Sequence, residues 1–178
     1  MSECMLEDCQ IRHMAADDLP MVLAWRNHPE VRRYMFTQHE IGLAEHTQWF
    51  TKAVQDDTRR LLIVQEHGNP IGYVQFSNIE PSGIADWGFY ARPDAAKGTG
   101  RKLGISALEH AFGHLKLHKV CGQAMASNQA SIRFHERLGF KREAELRDQK
   151  RIDDRYHTLI CFGLLAHEWQ ARTQGNRP

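Results

Sequence analysis

The 178-residue chain has no excess of charge of either sign and no long apolar run. Lys plus Arg (23) and Asp plus Glu (22) nearly cancel, so no bulk field attracts nucleic acid or an anionic membrane, and any anion site must be local. No stretch approaches the roughly 18 apolar residues of a membrane span. The N-terminus carries acids where a secretory signal has basic residues before an apolar core. These absences predict a cytoplasmic protein without nucleic-acid or membrane partners.

Cysteine is scarce as well. The four cysteines, Cys4, Cys9, Cys121 and Cys161, fit neither a disulfide framework nor the paired knuckles of a zinc ribbon, which favours a reduced protein. Cys4, Cys9 and His13 are metal-ligating types, but their spacing matches no common site. We therefore expect no metal.

The order of patterned segments predicts one α/β domain over residues 1–178. Alternating or short apolar runs predict strands, and apolar residues at spacings of three and four predict helices. The predicted strands are 10–14, 60–66, 71–79, 85–91, 119–126 and 155–165, and the predicted helices are 17–26, 29–34, 40–54, from 101 onward, and 128–137. The middle of the chain is a strand-helix-strand crossover, so the sheet is expected to be mixed, with an antiparallel front half.

A glycine-rich loop, Lys97-Gly98-Thr99-Gly100-Arg101, lies between a predicted strand and a predicted helix. Glycines let the backbone approach an anion, and the unsatisfied amides of a first helical turn donate to it. A Walker A loop has Lys after its last glycine, where Ile105 follows Gly104, and a dinucleotide fingerprint has glycine where Leu103 stands. A simple strand-to-helix turn remains the alternative to an anion site.

A second segment, NQASIRFHERLGF at 128–140, completes a pattern with DAAKGTGRKLG at 94–104. Together they resemble the GCN5-related N-acetyltransferase (GNAT) family: Gly98 and Gly100 match its loop, while Asn128, Ser131 and the closing Leu-Gly-Phe match its second motif. The resemblance implies a mixed central sheet that is splayed at its fourth and fifth strands and flanked by helices. Two residues depart from the family pattern, Ala95 at a position that is often Gln or Arg, and His135 at one that is often Tyr.

The resemblance also implies acetyl-coenzyme A as the donor. Its pyrophosphate would lie on the amides of Lys97, Gly98, Thr99, Gly100, Arg101 and Lys102, with the pantetheine arm along Phe89, Tyr90 and Ala91. Asn128 and Ser131 would belong to the same site. Transfer to an amine needs a neutral nitrogen, so we expect Asp86, where the family often has Glu, to act as base. His135 would protonate the leaving thiolate. The alternatives are that Asp86 orders the strand and that His135 is a packing residue.

The acceptor is suggested by residues 23–35 and 39–50. They look like the subgroup that acetylates the 4-amino group of a UDP-linked dideoxy amino sugar in pseudaminic acid biosynthesis. Arg26, His28, Arg32, His46 and Trp49 supply the basic and aromatic types that pyrophosphate and uracil require. The alternatives are N-acetylation of a protein N-terminus or a polyamine, and a non-catalytic coenzyme A-binding module. A homodimer is left open.

Overall fold

One seven-stranded sheet organises residues 9–174, the part of the chain that this computed structural model describes. Its strands are β1 Cys9–His13, β2 Arg60–Glu66, β3 Asn69–Ser77, β4 Ile84–Ala91, β5 Lys119–Met125, β6 Lys141–Ile152 and β7 Arg155–Leu165. They lie in the order β1-β2-β3-β4-β5-β7-β6. β4 and β5 run parallel, and the other neighbouring pairs are antiparallel. The expected mixed α/β sheet is confirmed.

Helices cover both faces of this sheet. They are α1 Leu19–Asn27, α2 Pro29–Arg32, α3 Leu43–Ala53, α4 Thr99–Glu109, α5 Gln129–Leu138 and α6 Ala166–Gln174, and α4 continues into a π-helical turn at His110–His114. Strand β2 packs against the helices on both faces of the sheet. Leu62 and Val64 join the large core with α4, α5 and α6, whereas Leu61 and Ile63 join a smaller core with α1 and α3. A strand that is buried on both faces has a continuous apolar run, as RLLIVQE does.

The sheet opens between β4 and β5. The two strands pair only through Ile84, Ala85 and Asp86 of β4. Beyond that point β4 stays paired with β3 as far as Ala91, and β5 stays paired with β7 as far as Met125. Each strand therefore loses one neighbour and keeps the other, which leaves a V-shaped cleft lined by unpaired backbone. The predicted splay at the fourth and fifth strands is confirmed.

Strand β6 and helix α6 were absent from the sequence prediction. β6 reads KREAELRDQKRI and is exposed along almost its whole length. It therefore carries no alternation that a pattern analysis would detect, and its pairing with β7 is what makes it a strand. Its many charges and the two register shifts against β7 suit an edge strand that must not pair further.

The sequence analysis expected no metal site and no membrane-spanning segment. Cys4, one of the metal-ligating types weighed above, lies outside the described residues. Among residues 9–174, no group of three His, Cys, Asp or Glu side chains is arranged to hold a metal ion. Over the same residues, every helix is too short or too polar to cross a membrane.

The π-helical turn makes a prediction about acid stability. His110 stacks on His114 with ring centroids 4.7 Å apart, and burial, with His114 and His13 adding to it, lowers the pKa of His110 from 6.5 to about 4. The unfolded chain thus takes up this proton first as the pH falls. The stabilisation from neutral His110 is complete above about pH 6.5 and is lost towards about pH 4. Allowing for solvent screening of a half-buried ring, we expect a loss of about 1–2 kcal/mol.

Urea unfolding at about pH 7 and about pH 4.5 measures this loss. His110→Phe should flatten the pH dependence of the free energy of unfolding, while His118→Gln, at an exposed histidine, should leave it as in the parent protein. Equal pH dependence in the two variants would contradict the assignment to His110.

Candidate active site

A cleft of about 760 Å³ fills the opening between β4 and β5. Residues 86–91 of β4 and 121–125 of β5 line it, together with parts of α4 and α5 and with α2 and the segment that follows. Because side chains alternate along a strand, Trp87 and Phe89 join the α4–α5 layer, and Asp86 and Tyr90 face the α1–α3 layer. The cleft thus passes through the sheet and is open to a different helical layer on each side.

The glycine loop lies at the start of α4, on one edge of this cleft. Gly98 has φ +97°, a left-handed conformation that favours glycine. The six residues predicted to form the cradle fall into two sets of three. The backbone amides of Thr99, Arg101 and Lys102 already donate to carbonyl oxygens of the turn. Within residues 9–174, those of Lys97, Gly98 and Gly100 donate to no group. The open set is where an anion would bind, which narrows the predicted cradle to three amides.

The cations beside the loop are not equivalent. The ammonium of Lys102 forms an ion pair with Glu66 of β2, so its charge is already compensated. Lys97 and Arg101 are exposed. The local positive charge expected at this loop therefore depends on Lys97, Arg101 and the helix N-terminus rather than on Lys102.

Asp86 is the last β4 residue that pairs with β5, and its exposed carboxylate lies at the apex of the V. Its Oδ2 accepts a hydrogen bond of 2.8 Å from the side-chain amide of Asn78. Asn78 has φ +51°, a left-handed conformation that Asn adopts more readily than most residues. The other oxygen, Oδ1, accepts no hydrogen bond from residues 9–174 and is free to meet a ligand.

His135 borders the cleft, but its side chain is buried. It is 1% exposed, and burial lowers its pKa. Its Nδ1 lies 2.8 Å from the carbonyl oxygen of Ser131, so Nδ1 carries the proton and donates. Its Nε2 lies 3.1 Å from Nε1 of Trp87, which is a donor only, so Nε2 accepts. The ring has no free proton to give. This geometry favours the alternative of a buried packing residue, and the role of His135 as acid stays a prediction.

The two other residues of the second motif hold α5 in place. The side chain of Asn128 caps this helix by accepting a 3.1 Å hydrogen bond from the amide of Ser131. Both residues line the cleft, and Phe134, one turn further along, packs on Phe89 with ring centroids 4.8 Å apart. Phe89, Tyr90 and Ala91 also line the cleft, as the predicted path of the donor requires.

Three of the five residues predicted to bind the acceptor come together on the α1–α3 side. His46 is 4% exposed and stacks on Trp49 at 5.1 Å. Arg26 is near enough to lower the pKa of His46, which burial lowers first. Within the described residues, Nε2 of His46 and Nη1 of Arg26 are buried without a hydrogen-bond partner, while Nη2 of Arg26 donates to the carbonyl of Thr37. Tyr90 adjoins this group.

The other two predicted residues lie at the end of α1 and on α2. His28 breaks the helical run at φ −58°, ψ 134° and accepts a long hydrogen bond of 3.4 Å from the amide of Glu30 at the start of α2. Nη1 of Arg32 lies 3.8 Å from Oε2 of Glu40, and Arg32 is also near enough to Arg26 to help lower the pKa of Arg26, an effect led by burial. The sequence therefore predicted the residue types of the acceptor side, and Arg32 lies near the group around Arg26, while His28 is engaged at the start of α2.

Sequence reasoning did not identify Asn78 and Trp87. Asn78 reaches Asp86 only because the chain turns back after β3 through a left-handed residue, and Trp87 reaches His135 across 48 positions of sequence. The one available signal was Trp87, the aromatic residue next to Asp86 in IADWGF, because a large side chain is needed to fill the gap where two strands separate.

Known proteins with the same features are acetyltransferases. A family model described as an acetyltransferase (GNAT) domain matches residues 9–141. The acetyltransferase PseH of Campylobacter jejuni strain 81-176 is 26% identical over 125 residues, 70% of this chain and 78% of PseH. Spermidine N(1)-acetyltransferase of Escherichia coli K12 is 24% identical over 164 residues, 91% of this chain and 88% of that protein.

Solved structures show the same fold. The spermidine N-acetyltransferase of Vibrio cholerae, in complex with CoA and spermine, has a TM-score of 0.85 against this chain at 23% identity, with 92% of this chain and 99% of the other covered. This likeness concerns the fold and leaves the acceptor to be argued from the site.

Proposed function

The chain belongs to the GNAT acetyltransferase family, and from that premise we propose that it transfers acetyl from acetyl-coenzyme A to the 4-amino group of a UDP-linked dideoxy amino sugar of pseudaminic acid biosynthesis. The donor would enter from the α4–α5 side and the acceptor from the α1–α3 side. The carbonyl carbon and the amine would then meet at the V of the sheet.

Backbone groups of the cleft support the donor assignment. The unpaired edge of β4 beyond Asp86 offers N–H and C=O groups in strand geometry, to which an extended amide-bearing arm adds as a further strand would. The open amides of Lys97, Gly98 and Gly100 suit its pyrophosphate. A β4 amide near Tyr90 would stabilise the oxyanion that develops on the thioester carbonyl.

The chemistry then needs one base. Asp86 Oδ1 accepts the proton of the acceptor ammonium, directly or through water, and the neutral amine attacks the thioester carbon. The C–N bond forms, the C–S bond breaks, the nitrogen releases its second proton to solvent, and the thiolate takes a proton from solvent. A thiol with an ordinary pKa near ~8.5 leaves without a dedicated acid, which agrees with the buried state of His135. Asn78 holds the other carboxylate oxygen and fixes the direction of Oδ1.

The observation that carries the choice of acceptor is the pair of buried nitrogens without partners, Arg26 Nη1, which is a donor, and His46 Nε2, which donates in one of its two neutral tautomers. A buried, unsatisfied donor is costly, so a ligand that supplies acceptor oxygens gains from meeting it. The diphosphate and uracil of a nucleotide-sugar supply such oxygens, and the ring of Trp49 beside His46 is a stacking surface. A polycationic acceptor would be repelled by Arg26. The similarity to PseH agrees with this choice.

A polyamine is the second candidate, favoured by a different observation. Asp86, Glu143 and Glu80 all lie near enough to Cys121 to raise the pKa of its thiol, an effect led by burial. Because Asp86 and Cys121 line the cleft, these carboxylates place negative charge near that part of it. Lys119 compensates Glu143 through an ion pair of 2.7 Å, so two carboxylates remain to attract a cation.

The release of coenzyme A thiol in the presence of a UDP-4-amino-sugar, spermidine or a basic peptide tests these alternatives. The proposed function requires the highest kcat/KM with the nucleotide-sugar. A preference for spermidine would transfer the assignment to the second candidate, and a preference for the peptide to protein acetylation. Binding of acetyl-coenzyme A without turnover of any amine would make the chain a binding module.

Arg26→Met separates the acceptors further, because it keeps an apolar stem and removes the guanidinium. Loss of a hydrogen bond to a charged ligand costs about 1.5–3 kcal/mol, so the KM for the nucleotide-sugar should rise at least about tenfold. The KM for acetyl-coenzyme A should not change. Arg142→Met, at an exposed β6 residue paired with Glu136, is the matched control. An unchanged nucleotide-sugar KM in Arg26→Met would remove Arg26 from the acceptor site.

A further inference from the structure

The residues immediately beyond the last paired positions of the splay are Trp87 on β4 and Gly122 on β5. We propose that Trp87 and His135 together form a wedge that sets the width of the cleft, and that His135 is thereby a positioning residue for the donor. This inference rests on the proposed function for the identity of the donor, acetyl-coenzyme A. The existence of the wedge depends only on the geometry of the sheet and not on the identity of the donor.

The position of the pair carries the inference. The indole N–H of Trp87 donates to Nε2 of His135 over 3.1 Å. A Cβ built on Gly122 would lie 2.6 Å from that Nε2 and 2.7 Å from the indole nitrogen. The hydrogen bond therefore lies directly over the backbone of β5, at the apex where the two strands part. Gly122 is required because any side chain there would occupy the place of the pair.

The wedge is held rigidly in the core. The imidazole of His135 stacks on Phe162 of β7 with centroids 4.6 Å apart and planes 8° apart, and the indole of Trp87 stacks on Phe140 at 5.0 Å. The second nitrogen of the imidazole is bonded to α5 through Ser131. The two rings thus connect β4, α5 and β7. β4 and α5 cannot approach or separate without breaking a buried hydrogen bond.

The wedge and an acid make opposite predictions for paired substitutions. His135→Phe leaves the indole N–H buried without an acceptor, and Trp87→Phe leaves Nε2 without a donor. The double variant removes both groups together, so no buried polar atom is left unpaired. If His135 works by position, the double variant recovers part of what each single variant loses. If His135 works by giving a proton, adding Trp87→Phe recovers nothing.

The test has three measurements. Calorimetry without an acceptor gives the Kd of coenzyme A, and kcat is measured with the acceptor that has the highest kcat/KM in the coenzyme A release assay. Amide hydrogen exchange is followed at residues 87–91 and 122–125. We expect each single variant to weaken coenzyme A binding about tenfold, the size of one lost buried hydrogen bond, and to exchange faster at these amides. The double variant should return to within about threefold of the parent in Kd and kcat. His135→Gln, which keeps an acceptor, should stay near the parent.

The outcomes separate the wedge from the proposed function. A kcat as low in the double variant as in His135→Phe, or an unchanged Kd and unchanged exchange in both single variants, would overturn the wedge. If the parent protein binds no coenzyme A, the proposed function fails, and the exchange rates still decide on the wedge. Circular dichroism establishes that each variant is folded, and where His135→Phe does not fold, Trp87→Phe and the double variant supply the comparison.

Discussion

Asp86→Asn is expected to lower kcat by about 100-fold or more near neutral pH, the usual size of a general-base contribution. Asn keeps the shape of the side chain but cannot take a proton from the acceptor ammonium. The fold should be unaffected because Asp86 is exposed and its carboxylate has one partner, Asn78. The KM for acetyl-coenzyme A should stay within about twofold, since donor binding depends on the backbone of β4 and on the loop amides.

The pH profile provides the decisive measurement. In Asp86→Asn the remaining activity should rise with pH as the acceptor amine loses its proton unaided, whereas the parent protein, with its carboxylate as base, should depend less steeply on pH. Asp57→Asn, at an exposed carboxylate in the turn before β2, is the matched control and should keep full activity. A kcat within about threefold of the parent in Asp86→Asn would leave Asp86 only the ordering of β4.

The donor side of the site was predictable because its chemistry belongs to the backbone. Gly98 allows a left-handed turn and Gly100 allows an anion to approach the backbone closely, and both properties can be predicted from the residue type. The sequence does not show which of the amides lack a hydrogen-bond partner. The amides of Thr99, Arg101 and Lys102 donate within the turn, so half of the predicted cradle is already engaged.

The acceptor side was less predictable because its chemistry belongs to side chains from separate helices. Arg26 and His46 lie on α1 and α3, and their contact depends on how those helices pack on β2 and β3. His28 has an equally suitable side chain, yet its ring lies at the start of α2, where it accepts from the amide of Glu30. The same limit applies to His135, whose residue type suited an acid, whereas its partner Trp87 lies 48 positions away.

This division accounts for the pattern of similarity to known proteins. PseH and spermidine N(1)-acetyltransferase are each about a quarter identical to this chain, and a solved spermidine N-acetyltransferase shares its fold, as expected if the donor is held mainly by backbone groups that many sequences support. If, as proposed, the acceptor is held by a few side chains, changing two or three of them would change the substrate at small cost to the fold. On that proposal Arg26 and His46 are more informative about specificity than the overall similarity.

Gly100→Val tests the donor loop with a second large effect. Gly100 is the second residue of α4, its amide is open, and it lines the cleft. A Cβ there would meet only Phe134, at an ordinary 3.9 Å, so the fold accepts a side chain and the helix gains from replacing glycine. The added methyl groups would occupy the space in front of the amides. Loss of charge-assisted hydrogen bonds at about 1.5–3 kcal/mol raises the KM for acetyl-coenzyme A about 10- to 100-fold.

Steady-state kinetics with both substrates varied isolates this effect. At saturating donor, kcat should stay within about threefold of the parent, and the acceptor KM should not change, because the added side chain would interfere only with the ground-state binding of the donor. Gly113→Val is the matched control, since Gly113 is also helical, has nothing within 4 Å of a built Cβ and lies in the π-helical turn away from the cleft. An unchanged donor KM in Gly100→Val would mean that the open amides at the start of α4 do not hold the pyrophosphate.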